Sequence, residues 1–329
     1  MARAERRPWP GASAALLCAS ALLLGAPAVQ AGQAAAGWFM RMAEAMRTQA
    51  YAGTLVYGHD RKLKTLELAH GYIDGREHER LSVLNGQPFE IIRQGARVTC
   101  IWPASQRARV IQRPQDLLTP RPPRGLESLP AHYTAKLTGT TRIAGRDARV
   151  LHIEAEDDYR YDYRLWLDEE TALLLRSDLI DPTGSVRERL MFTQLQPLDR
   201  VTAERFEPSL EGTQRTRHAS PGGEGEPLED PDWAVTDLPP GFEATAHRSE
   251  AMPPHGMAVQ HSIYSDGFAS VSVFIEPPEA DPMPLEGLAR MGAVHAFGRA
   301  VDEHRVVVVG EVPAATVRRM ATSVEHVAP

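Results

Sequence analysis

The chain has 329 residues, 43% of them hydrophobic, enough for one large domain or two ordinary ones. Its 36 Lys and Arg against 43 Asp and Glu give a formal net charge of -7, which argues against a general binder of nucleic-acid phosphates. The only cysteines are Cys18 and Cys100, and Cys18 falls in a predicted leader, so no disulfide framework is expected.

Residues 1–31 read as an export signal. Arg3, Arg6 and Arg7 form a basic start, residues 12–26 a short apolar core, and "AVQA" ends at Ala31 with small residues suited to cleavage before Gly32. The apolar run is shorter than the ~20 residues of a spanning helix. Pro8-Trp9-Pro10 after Arg6-Arg7 does not fit twin-arginine export, and Leu17 before Cys18 does not fit a lipid anchor. No later stretch is apolar enough to cross a membrane, so a soluble, exported protein is expected. No Gly-rich phosphate loop follows a strand and opens a helix, and no cofactor is expected.

Phe39, Met42, Ala43, Met46 and Ala50 follow one helical stripe. Short alternating segments come next. Asp74-Gly75 and Asn85-Gly86 are hairpin signals, and "FEIIRQGARVTCIWP" reads as strand, turn, strand. Cys100 lies there as a small buried hydrophobe. The prolines of "PQDLLTPRPPRGLESLP" forbid a central strand. Strands resume from Tyr133 and turn at residues 168–171 and 181–184. So large an antiparallel sheet tends to curl into a barrel or half-barrel. Its concave face must be covered by the first helix, the proline-broken segment or a ligand. Tyr159, Tyr161 and Tyr163 are expected on one strand face, and "EDD" at 156–158 at a solvated hairpin tip.

Residues 211–232, rich in glycine, proline and charge, read as a flexible linker between a first domain at 32–210 and a small α+β domain at 233–329. In the second domain a hairpin turns at Ser265-Asp266-Gly267. "RVVVVGEVP" is a strand covered on both faces, and Val317, Met320, Ala321 and Val324 form a helical stripe. A sheet of three or four strands on one or two helices is expected.

Catalytic chemistry finds little support. "YSDGF" is not a nucleophile elbow, and Ser265-Asp266-Gly267 are turn residues. His59, His70, His78, His132, His152 and His218 are scattered, and His255 and His261 lack a third ligand at short spacing, so no metal site is expected.

"YAGTLVYGHDRKLKTLELAHGYIDGREHERLSVLNGQPFEIIRQGARVTCIWP" resembles the N-terminal domain of the RseB/MucB family. "LPPGFE", "HSIYSDGFASVSVFIE" and "GAVHAFGRAVDEHRVVVVGEVPAATVRRMATSV" resemble its C-terminal domain, in the same order, from about Trp38 to Val324. The resemblance implies a periplasmic negative regulator of the sigma-E-type envelope stress response. Such a protein binds the periplasmic segment of an RseA/MucA-type membrane anti-sigma factor and shields it from regulated proteolysis. It also implies an α+β fold whose large domain is a LolA/LolB-like half-barrel. By that likeness a concave apolar face, with Trp102, Tyr161 and Trp166 as candidate lining, would receive lipopolysaccharide or a lipoprotein. A periplasmic lipid or lipoprotein carrier is the alternative, and the oligomeric state stays open, a homo-oligomer included.

For the partner, the strand 268–275 is part of the candidate docking surface. Tyr264 and Phe268 flank the turn that leads into it as aromatic anchors, and Ser270, Ser272 and Phe274 share the face opposite Val271, Val273 and Ile275. Alternation does not say which face is wet, and burial of all of them in the core is the other reading.

Overall fold

The computed structural model of the chain describes residues 26–102, 129–209, 211–218, 225–252, 257–277 and 285–327. Helix α1 (Ala26–Thr48) carries a stripe of Ala35, Phe39, Met42, Ala45 and Met46, all buried. It ends before the predicted Ala50, because Tyr51 already begins a strand. The first 25 residues of the predicted export signal, most of the proline-broken segment and His255 lie outside the described residues.

After α1 the chain forms β1 (Tyr51–His59), β2 (Lys62–Ile73), β3 (Arg76–Val83), β4 (Glu90–Gln94) and β5 (Arg97–Trp102). It continues with β6 (Tyr133–Ile143), β7 (Arg146–Ala155), β8 (Asp162–Asp168), β9 (Leu174–Ile180), β10 (Val186–Pro197) and β11 (Thr213–His218). Among the described residues these make one antiparallel sheet in the order β11-β5-β4-β3-β2-β1-β10-β9-β8-β7-β6. The end strands β11 and β6 do not pair, so the sheet curls without closing into a barrel. Tight turns set its register. Asp74 and Gly75 both have positive φ (50° and 73°), the geometry of a two-residue hairpin turn. The amide oxygen of Asn85 accepts the Thr65 N–H at 2.7 Å.

The core lies against the concave face. Phe39, Met42, Ala45 and Met46 of α1 pack with Leu55, Leu66, Leu68, Ile91, Leu151, Leu165 and Phe192 of the sheet. The cover expected over that face is therefore in part the first helix. Cys100 is buried in the same cluster.

The predicted linker is narrower than its composition suggests. Residues 213–218 pair with β5 as the large sheet's end strand, and β12 (Glu226–Pro227) pairs with the second sheet. Beyond it come β13 (Trp233–Val235), β14 (Glu243–Met252), β15 (Met257–Ser265), β16 (Ser270–Glu276), β17 (Gly287–Met291), β18 (Val294–Val301) and β19 (His304–Gly310). Helix α2 (Ala314–Thr322) and β20 (Val324–His326) follow. The second sheet has seven described strands in the order β12-β14-β15-β16-β19-β18-β17, where three or four were expected. The excess comes from the glycine-containing hairpin β17–β18, whose alternation is weak, and from the short β12. Val317, Met320 and Ala321 pack α2 against Val271, Val273, Ile275, Val306 and Val308. Val324 joins that core from β20, which pairs with β13, and not from the helix.

Candidate functional site

The two sheets meet along a seam built mainly from turns. Its first part begins with the turn after β15. Asp266 accepts the N–H groups of Phe268 and Ala269 at 2.8 and 2.7 Å through Oδ1. Ser265 donates its hydroxyl to the Ala269 carbonyl at 2.7 Å and accepts the Gly267 N–H at 3.0 Å. These short side chains mimic backbone partners and hold the turn rigid. The turn aims Asp266 and Phe268 into the large domain.

Arg160, in the loop between β7 and β8, meets Asp266 there. Its Nε donates to Asp266 Oδ2 at 2.5 Å, and both side chains are 0% exposed. Its other nitrogens donate to Asp157 and to the Pro240 carbonyl. The guanidinium also faces the rings of Phe242 (4.8 Å) and Tyr133 (5.8 Å). A buried charge is tolerated only when paired and hydrogen-bonded in this way. Gly241, with φ of +77°, lets the Pro239-Pro240 turn approach closely. A Cβ there would fall 2.2 Å from the His132 ring and 3.3 Å from Arg160 Nη2.

Phe268 enters an aromatic box of the large domain. Its ring centroid lies 5.6 Å from Phe39 of α1, 5.2 Å from Tyr133 and 4.7 Å from Tyr163. The first two contacts are edge-to-face, the arrangement that ring quadrupoles favour. Phe268 thus packs against the large domain's core, although its strands belong to the small sheet.

The second part of the seam surrounds the β17–β18 turn. Asp60 accepts the Gly292 N–H at 2.6 Å, and Glu188 accepts the Ala293 N–H at 2.9 Å. Tyr57 donates to Glu188 at 2.7 Å, and Arg290 pairs with Asp60 at 3.1 Å. Tyr161 places its hydroxyl 2.8 Å from the Ala293 carbonyl and 3.1 Å from both the Val312 carbonyl and His295 Nδ1. On α2, Thr316 donates to the Tyr159 carbonyl at 2.6 Å and Arg319 to the Tyr159 hydroxyl at 2.8 Å.

The electrostatics follow from this geometry. The Gly292 N–H holds the Asp60 carboxyl below its usual value, with Arg290 and His59 adding to it. Burial pushes the Tyr57 hydroxyl far up, and the Glu188 carboxylate pushes it further. Burial, then Glu311, does the same for Tyr161.

The predicted residues fall in different places. Tyr264 is 3% exposed in the small domain's core, where its hydroxyl accepts the Val235 N–H at 3.2 Å. Val271, Val273 and Ile275 face that core, and Ser272 on the opposite face is buried too, at 0%. Ser270 and Phe274 keep partial exposure, with Phe274 stacked on His261 at 4.2 Å. The five candidates for partner contact therefore do not form one exposed surface. Trp102 and Trp166 lie in the large core, Trp102 stacked on Phe89 and Trp166 under Arg176. Tyr161 does not line that core, because its hydroxyl is taken up in the seam. Nor do the three tyrosines share one strand face: Tyr159 and Tyr161 precede β8, and only Tyr163 lies in it.

Sequence reasoning missed Arg160, Asp157, Asp60, Glu188 and His295. A lone arginine between tyrosines after an acidic tip was the one available signal. Ser265 and Asp266, weighed as a nucleophile and its acid, spend their hydrogen bonds on the turn and on Arg160. Among the described residues no group of three His, Cys, Asp or Glu side chains is placed to hold a metal ion.

The family model for the MucB/RseB N-terminal domain matches residues 34–210, and that for the MucB/RseB C-terminal domain residues 227–325. The sigma factor AlgU regulatory protein MucB of Pseudomonas aeruginosa is 33% identical over 310 residues, covering 92% of this chain and 94% of the relative. The sigma-E factor regulatory protein RseB of Escherichia coli is 25% identical over 278 residues, covering 80% of this chain and 81% of the relative. The structure of the Pseudomonas aeruginosa MucA/MucB complex superposes with a TM-score of 0.69 at 31% identity, covering 90% of this chain and all of that one. A crystal structure of MucB in complex with MucA(peri) gives 0.68 at 30% identity, covering 89% and 99%.

Proposed function

This chain belongs to the MucB/RseB family, and from that membership we propose that it is a regulator of a sigma-E-type factor that binds the periplasmic segment of a membrane anti-sigma factor. While bound, it shields that segment from regulated proteolysis and keeps the stress response off. The carrying observation is the match of both domains, in order, to a MucB whose structure is known with MucA. Partner binding needs no bond-making chemistry, and the turn that holds Ser265 and Asp266 offers none, so we assign no catalytic role.

The reading places the protein in the periplasm. Among the described residues no helix is long and apolar enough to cross a membrane. Of the five candidate residues, Phe268, Ser270 and Phe274 are partly exposed, and Phe268 spends its ring on the large domain, which leaves Ser270 and Phe274 for contact with the partner. Relief by lipopolysaccharide or a lipoprotein belongs to the same proposal. An acyl chain entering the core beside Phe39 and Tyr163 would compete with Phe268, and so would act on the small domain.

Calorimetric titration of the full exported chain with a synthetic periplasmic segment of its anti-sigma partner tests the reading. Saturable binding, with slower cleavage of that segment by its protease, is the expected result. Absence of binding by folded protein overturns it. Adding lipopolysaccharide in a second arm tests relief separately.

A further inference from the structure

We propose that His295 makes the seam between the two domains acid-sensitive: protonation of its imidazole loosens the contact of the β17–β18 turn and the Val312 backbone with Tyr161. The geometry fixes the protons. His295 Nδ1 lies 2.8 Å from the Val312 carbonyl, which only accepts, so Nδ1 carries the hydrogen. Tyr161 then gives its single proton to the Ala293 carbonyl, its shortest partner at 2.8 Å. Every donor in the set has an acceptor with the ring neutral. A second proton must go to Nε2 and brings a full charge into a site where His295 is 8% exposed.

The charges around the ring do not welcome it. Arg290 on β17 and Arg187 on β10 both act against a positive imidazole. Asp181, between β9 and β10, is the acid that favours one. That carboxylate is already engaged by Arg187, by the Thr183 hydroxyl and by the N–H groups of Thr183 and Ser185. Glu188 is likewise occupied by Tyr57 and the Ala293 N–H. Glu311 acts on Tyr161, whose hydroxyl stays protonated throughout.

Burial, with the two arginines adding to it, moves His295 below its usual 6.5 against the opposing Val312 bond. The sign follows. A depressed histidine binds its proton more readily when the seam is open. The closed seam has its full stability above pH 6.5 and loses it as the pH falls through the lowered value. Asp60, held below 3.8 by Gly292, remains charged over that range and does not share the response.

The test uses the full chain between about pH 7.5 and about pH 5, the window in which histidine titrates. Hydrogen exchange of the amides at 291–295, solution scattering, and NMR titration of labelled histidines are the readouts. The wild type should show faster exchange at 291–295 and a larger radius of gyration, with a midpoint below 6.5 that coincides with the His295 titration. His295→Asn keeps an N–H for Val312 but cannot titrate, and it should lose the response. His59→Gln and His132→Gln, at the other seam histidines, should keep it. An unchanged response in His295→Asn, or its loss in either of the other variants alone, overturns the proposal. Should His295→Asn not fold, the wild type decides: titration of His295 with no change in exchange at 291–295 overturns it, and linked titration supports it.

Discussion

Arg160 and Asp266 stand 106 residues apart in sequence and on different domains, yet their side chains form an ion pair from which solvent is wholly excluded. Removing one partner leaves the other charged and buried. Asp266→Ala should cost about 3–5 kcal/mol in urea unfolding, the range for a broken buried pair. Arg160→Lys should recover little of an Arg160→Ala loss, because one ammonium cannot serve Asp266, Asp157 and the Pro240 carbonyl as the planar guanidinium does. Equal stability of Arg160→Lys and the wild type would remove the pair from the seam's energetics.

Phe268→Ala tests whether the seam couples the domains. The truncation empties a box formed by Phe39, Tyr133 and Tyr163; because Phe268 is only partly buried, it should cost less than the ~3–5 kcal/mol of a core Phe→Ala change. Differential scanning calorimetry should then resolve two transitions where the wild type shows greater overlap. A single unchanged transition would mean that Phe268 couples nothing. Tyr264→Ala acts differently: it removes core from the small domain alone and should lower only that domain's melting temperature.

Gly241→Ala should loosen the same contact through the backbone. Its φ of +77° is left-handed, and a Cβ would press on His132. The left-handed conformation alone costs an L-residue about 1–2 kcal/mol. Faster hydrogen exchange near residues 157–161, with the small sheet's core protection intact, is the expected outcome.

Acid should weaken the large sheet through Asp178. Burial by itself raises this carboxyl, but hydrogen bonds from Arg189 and Arg176 outweigh it and hold it below 3.8. Arg189 donates to both oxygens at 2.7 Å. A depressed carboxyl stabilises the fold above pH 3.8, and the contribution is lost as the pH falls through the folded value. Asp178→Asn should therefore flatten the acid limb of the stability curve and cost about 1.5–3 kcal/mol at neutral pH, the scale of hydrogen bonds to charged groups. An acid limb identical to the wild type's would assign the effect to other carboxylates.

Local signals carried far where the pattern was strong. The helical stripe of Phe39, Met42 and Met46, the Asp74-Gly75 hairpin and the alternation of Val271, Val273 and Ile275 each depend on neighbours in sequence. They were legible for that reason, and the curled antiparallel sheet followed from them. Weak alternation hid the β17–β18 hairpin. Polar composition hid β11 and β12, whose pairing is decided by a partner strand and not by their own side chains.

What the sequence by itself determined is the set of local choices: turns, periodicity, buried faces and a family resemblance carried by ordered motifs. Only the tertiary structure decided that Phe268 leaves its own domain for a box in the other, and that Arg160, Asp60, Glu188 and His295 are seam residues. The physical reason is that a charge or ring gains its energy from what lies across a gap. The partner across that gap comes from a distant part of the chain, and no local pattern encodes the pairing.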